Sequence, residues 1–108
     1  MALPIIIDGK VLATGGEGDY YQLDVVKDVE GFGEPAKTLL IENLGTGEGT
    51  DSIYFQLGDS DGRWTNIKTV AKSESIVFGV DDGIEYKIIK IWASDAGGSF
   101  SLIVTKGR

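Results

Sequence analysis

Short runs in which every second residue is apolar recur along this chain, separated by clusters of Gly, Asp and Ser. That period puts alternate side chains on opposite faces of a strand, so each run reads as β-structure with one buried face. In Thr38–Leu44, Leu39 and Ile41 share one face, opposite Thr38, Leu40 and Glu42. In Ile53–Leu57, Ile53, Phe55 and Leu57 face one way, and Tyr54 and Gln56 the other. Ile76, Phe78 and Val80 repeat the inward pattern in Glu74–Val80. Tyr20–Val26 alternates more weakly, with Tyr21, Leu23 and Val25 on one side. Phe100, Leu102 and Val104 carry the last run. Tyr86–Ala93 is apolar on both faces, which predicts a central strand or one at an interface. No stretch carries an extended helical stripe.

The turn signals complete the outline. Asp8-Gly9 between Ile5–Ile7 and Lys10–Ala13 predicts an N-terminal hairpin closed by a type I′ turn. Thr14–Asp19 and Gly45–Ser52 read as Gly-rich loops, and Asp59–Gly62, Asp81–Gly83 and Asp95–Gly98 as turns. Lys27–Ala36 is the longest segment without a period, so it is expected to be a mobile or partner-contacting loop, with Phe32 at its centre. About eight short strands punctuated in this way predict an all-β fold: a single β-sandwich of antiparallel strands, jelly-roll-like. Residues 1–13 form its hairpin or arm, residues 37–106 its core sandwich, and residues 1–108 one domain.

Composition narrows the function classes. A chain of 108 residues buries only ~60–65% of the surface its unfolded form exposes, so oligomer contacts would add useful burial. The net charge of −7 repels phosphate backbones and anionic lipids, which argues against nucleic-acid and membrane partners. No apolar run approaches the ~18 residues of a membrane span. Met1–Ile7 lacks the basic region and cleavage site of a secretory signal, so synthesis in a cytoplasm without export is expected. There is no cysteine, hence no disulfide or thiolate metal site. There is no histidine, which removes the commonest general base and metal ligand.

The sharpest local motif is Asp59-Ser60-Asp61-Gly62. Alternating carboxylates on a bent loop can wrap calcium, which makes Asp59 and Asp61 weak candidate ligands, although no metal or cofactor is expected. An EF-type loop needs a bidentate Glu where this chain has Val70, so the motif is read first as a β-turn whose carboxylates bond local N–H groups. The Gly45–Thr50 loop lacks the Gly-Lys-Ser/Thr ending of a phosphate loop, and Glu48 would repel phosphate. No GxSxG element is present, and near pairs of carboxylates arise by chance among 17 acids, so no enzyme is expected. Tyr54, Tyr86, Trp92 and Trp64 leave three readings open: core, protein interface or sugar-stacking platform.

The series "LLIEN" (Leu39–Asn43), "IYFQLGDSDGRWTNI", "KSESIVF" and "YKIIKIWASDAGGSFSLIVTKG" resembles small β-sandwich virion proteins of tailed bacteriophages. The likeness covers roughly Lys37–Lys106, with Lys72-Ser73 where the pattern has Gly, and leaves Met1–Ala36 outside. It implies a non-enzymatic structural role in the virion, as a capsid decoration or head/tail accessory protein made in the host cytoplasm. The implied partners are a major capsid or other virion protein and copies of the chain itself, with a trimer favoured. The implied contacts are the apolar N-terminus, with Leu3, Ile5 and Ile7, and the Lys27–Ala36 loop, with Phe32. Tyr54, Tyr86 and Trp92 are the aromatic candidates for the same surface. The alternative class is a carbohydrate-binding β-sandwich module using exposed aromatics.

Overall fold

Among the described residues the chain forms eight strands: β1 (Ile5–Val11), β2 (Tyr21–Asp24), β3 (Leu39–Asn43), β4 (Ser52–Gly58), β5 (Lys68–Ala71), β6 (Ser75–Phe78), β7 (Ile88–Ala93) and β8 (Ser99–Val104). The computed structural model describes residues 4–12, 20–45, 52–94 and 97–106. Leu3 and the Gly-rich segments 13–19 and 46–51 lie outside the described residues, as do residues 95–96 of the last turn. The strands make two four-stranded antiparallel sheets, ordered β1-β8-β3-β6 and β2-β7-β4-β5. Strand β1 pairs with β8, β2 with β7, β3 with β6 and β4 with β5. The chain is thus one long antiparallel hairpin, centred on the β4–β5 turn and rolled until β3 meets β8 and β4 meets β7. This is the jelly-roll connectivity, and it leaves the all-β sandwich as predicted. No helix among the described residues is long and apolar enough to cross a membrane.

The inward faces meet in one core that includes Leu39, Ile41, Ile53, Phe55, Ile89, Ile91, Phe100 and Leu102, each at most 1% exposed. Asn43, the buried polar residue at the end of β3, spans the two sheets. Its amide donates to the Val70 carbonyl at 2.9 Å, and its oxygen accepts from the Gly45 N–H at 2.9 Å. Both ends of the amide are therefore satisfied, which burial requires.

Three local expectations are corrected. Asp8-Gly9 does not close a hairpin. β1 runs straight through it as the edge strand beside β8, and the register slips between Ile7↔Leu102 and Lys10↔Phe100. Gly9 sits at φ +69°, which both a type I′ turn and a G1 β-bulge need. The local signal is the same for both, and pairing with β8 selects the bulge. The predicted eighth strand is instead β5, a four-residue element in which Val70 is the one buried side chain. So short a run carries almost no periodic signal. β6 ends at Phe78, and Val80 starts a 3₁₀ turn, Val80–Asp82, where it is 50% exposed.

The Lys27–Ala36 segment is also not free. Asp24 Oδ1 accepts from the N–H groups of Val26 (3.0 Å) and Lys27 (2.9 Å), and Asp28 Oδ2 from that of Asp24 (3.0 Å). Phe32 is 2% exposed, Val29 packs against the core, and Ala36 bridges to Tyr86. The loop closes the sandwich with Phe32 as its plug, so the segment expected to be mobile or partner-contacting is anchored through Phe32 and Ala36, while Glu30 and Glu34 stay exposed.

Candidate functional site

Period-2 alternation gives each sheet an outward face, and on the β1-β8-β3-β6 sheet that face is unusually apolar. The register sets Ile6 opposite Ile103, Ile103 opposite Leu40 and Leu40 opposite Val77. These four aliphatic side chains form one row across all four strands. Ile6 is 63% exposed and Val77 64%. Val11 and Leu44 lie on the same face toward one end of the sheet and are also exposed. Five of the nine exposed large hydrophobics among the described residues therefore share this surface. Scattered singly they would need no explanation, but gathered on one face they make it the candidate contact surface.

The next row on that face is polar. Glu42 lies between Ser101 and Ser75 in register, and the Ser101 hydroxyl bonds Asp8 Oδ1 at 2.5 Å. Both charges on this row are acids, and no lysine or arginine occupies a strand position of this face among the described residues.

A second candidate lies beyond the end of β4. The Asp59–Gly62 turn is held by its own carboxylate. Asp59 Oδ1 accepts from the N–H groups of Asp61 and Arg63, each at 2.9 Å, and Oδ2 from Arg63 Nε at 2.8 Å. Arg63 also bonds Asp61 Oδ2 at 3.1 Å. The Arg63 N–H, helped by those of Asp61 and the guanidinium, holds the Asp59 carboxyl below the usual carboxylate range. The cation between the two acids is thus the protein's own arginine. No group of three or more potential ligands forms among the described residues, so the weak calcium candidates Asp59 and Asp61 have no cage around them. The β-turn reading of this motif is what the geometry supports.

Beside the turn lies an open cleft of about 340 Å³, lined by Leu57, Trp64, Ile84 and Tyr86 with Asp59, Arg63 and Glu85 at its polar rim. Trp64 lies flat on Gly58, where a Cβ would stand 2.9 Å from the indole. Lys90 Nζ sits 5.2 Å from the Trp64 ring and 4.3 Å from that of Tyr20. Both rings remain more than 40% exposed.

The structure separates the predicted contact residues. Ile5 and Ile7 are half-buried inward positions of β1, and Ile6 between them is the exposed one. Ile5–Val11 is thus an edge strand instead of a free arm. Phe32, Tyr86 and Trp92 are 2%, 1% and 4% exposed, which withdraws them from any surface role. Tyr86 faces inward and its hydroxyl donates to the Thr38 carbonyl at 2.7 Å, while burial pushes its phenol above the ordinary value. Trp92 points outward from β7 and is covered in part by Tyr54, their ring centroids 5.9 Å apart. Tyr54 remains half-buried.

Sequence reasoning missed Ile6, Leu40, Val77 and Ile103 as a group. Each occupies an outward position next to inward aliphatics, in "III", "LLI", "SIVF" and "SLIV". The doubled apolar runs were visible, but their alignment into one row depends on the register of four strands. No family model, curated protein or solved structure matches the chain.

Proposed function

We propose that this protein is a non-enzymatic structural protein of a tailed-bacteriophage virion, a capsid decoration or head/tail accessory protein that binds the particle through protein–protein contacts. The observation that carries the reading is the exposed aliphatic row Ile6–Ile103–Leu40–Val77. Such a row suits a partner that removes it from water, at ~25 cal/mol per Å² of apolar surface. The acids beside the cleft support a role without catalysis, because Asp59 and Asp61 are held by Arg63 and Asp59 is a weakened base. The jelly roll itself does not choose, since capsid proteins and lectins both use it.

In this reading the chain is made in the host cytoplasm and joins the particle as a homo-oligomer, with a trimer matching a symmetric lattice site. The test is sedimentation of the purified protein with purified phage heads and tails, alongside its solution mass by light scattering. Wild-type protein is expected to pellet with the particles, and Ile103→Thr to stay in the supernatant. Failure of the wild type to pellet with either would refute the assignment.

One observation favours a second reading. Tyr20 and Trp64 flank Lys90, and Trp64 also lines the 340 Å³ cleft, an arrangement that suits stacking on a sugar face with a donor between the rings. Retention on a polysaccharide array that is lost in Trp64→Ala would move the assignment to a carbohydrate-binding module.

A further inference from the structure

The geometry points to a specific chemistry for whatever covers the β1-β8-β3-β6 face: a protein segment presenting an aliphatic ridge flanked by lysine or arginine. This inference rests on the reading of that face as a protein contact surface, and it adds what the contact recognises.

Two observations on the face carry it. The aliphatic row Ile6–Ile103–Leu40–Val77 runs straight across the strands, so it fits a straight ridge of apolar side chains. The adjoining row puts two carboxylates, Asp8 and Glu42, at a fixed offset from it. The Ser101 hydroxyl bonds the Asp8 carboxylate, which holds that charge on the face. No strand position of the face carries a compensating cation among the described residues. An apolar ridge with basic flanks therefore gains burial and charge pairing together, whereas an acidic partner meets like charges at the moment the row is desolvated.

The same facts argue against a second copy of this chain as the occupant. Stacked with their acid rows in register, two such faces bring like charges together, and in any orientation neither copy offers a strand-borne cation to pair with the Asp8 and Glu42 of the other. The area is also small. Four strands ~4.8 Å apart, over about six residues of ~3.3 Å rise, make a face of roughly 400 Å². A stable protein pair buries ~800 Å² on each partner. A face of this size suits one extended or helical segment, held weakly at each site and strengthened where several copies engage a symmetric surface together.

The probe is a fluorescein-labelled peptide of alternating leucine and lysine, followed by anisotropy at low and high salt. A leucine–glutamate peptide and a serine–lysine peptide serve as controls. Wild-type protein is expected to bind the first peptide, more weakly at high salt, and to bind neither control. Glu42→Gln is expected to weaken binding about fivefold. Glu34→Gln, which removes the same charge from an exposed position of the 27–36 segment, is expected to leave it unchanged. Ile103→Thr is expected to abolish binding, and Glu42→Gln carries the test if Ile103→Thr does not fold. Equal loss from Glu42→Gln and Glu34→Gln would overturn the inference, because it would mean attraction to net charge alone. Equal binding of the leucine–glutamate peptide would also overturn it. So would a wild-type dimer on a sizing column that Ile103→Thr splits, since the face would then meet its own copy. Peptide binding that persists in a protein that never sediments with phage particles would refute the virion assignment and leave this inference standing.

Discussion

Phe32 offers the sharpest test of the packing. It sits in the Lys27–Ala36 segment, which has no strand or helix period, yet it is 2% exposed and belongs to the core. Its backbone N–H donates to the Val29 carbonyl at 3.2 Å, and the Lys106 ammonium lies 5.4 Å from its ring. Phe32→Ala removes a buried ring from a site whose neighbours are rigid sheets, so collapse around the gap is limited. The expected cost is ~3–5 kcal/mol. A domain of this size has about 5–15 kcal/mol in total, so the variant is expected to be folded but weakened. With a urea m-value of ~1.5 kcal/mol/M, the unfolding midpoint falls by roughly 2–3 M. Phe32→Leu retains most of the apolar volume and is expected to cost ~1 kcal/mol, lowering the midpoint by somewhat less than 1 M. Equilibrium urea unfolding followed by circular dichroism reads both. A shift within error for both variants would refute the plug and restore a loose loop. A loss of particle binding without loss of stability would do the same, and would return Phe32 to the contact surface.

Other outcomes follow from the same geometry. Tyr86→Phe leaves the Thr38 carbonyl without its phenol donor, so a loss of ~1–2 kcal/mol and a thermal midpoint lower by about 5–10 °C are expected. Because burial raises the Tyr86 phenol above the ordinary value of 10.0, its contribution is complete below pH ~10. It fades as pH climbs from there toward the folded-state value. Thermal melts across alkaline pH should show that extra loss in wild type and less of it in Tyr86→Phe. Gly58→Ala brings a Cβ within 2.9 Å of the Trp64 ring, so the indole must move. A changed tryptophan emission and ~1–3 kcal/mol of destabilisation are expected, and an unaltered spectrum would contradict the packing. Deleting residues 1–7 removes Ile5 and Ile7 from the core margin and bares the edge of β8. A midpoint lower by roughly 10–20 °C is expected, whereas an unchanged melt would restore the picture of a free arm.

The fold was largely legible because it rests on a period of two. Leu39 with Ile41, Ile53 with Phe55, and Leu102 with Val104 announce one buried face each, and Gly- and Asp-rich turns divide the runs. Side-chain alternation is fixed by the backbone pleat, so it survives in any strand partnership. The candidate site was less legible. Leu40 and Val77 each looked like an ordinary outward position of an apolar strand.

By itself, then, the sequence determined the class of fold, the absence of histidine and cysteine chemistry, the acidic net charge and the place of the Asp59–Gly62 turn. These depend on composition or on neighbours within a few residues. Tertiary structure alone decided that Asp8-Gly9 is a bulge, that Phe32 and Tyr86 are buried, and that Ile6, Ile103, Leu40 and Val77 form one row. Each of these depends on partners far away in the chain. A glycine at positive φ serves a turn or a bulge equally, and only the neighbouring strand chooses between them. An aliphatic side chain is driven out of water by whatever surface can cover it, and the hydrophobic effect has no direction that a local sequence could encode.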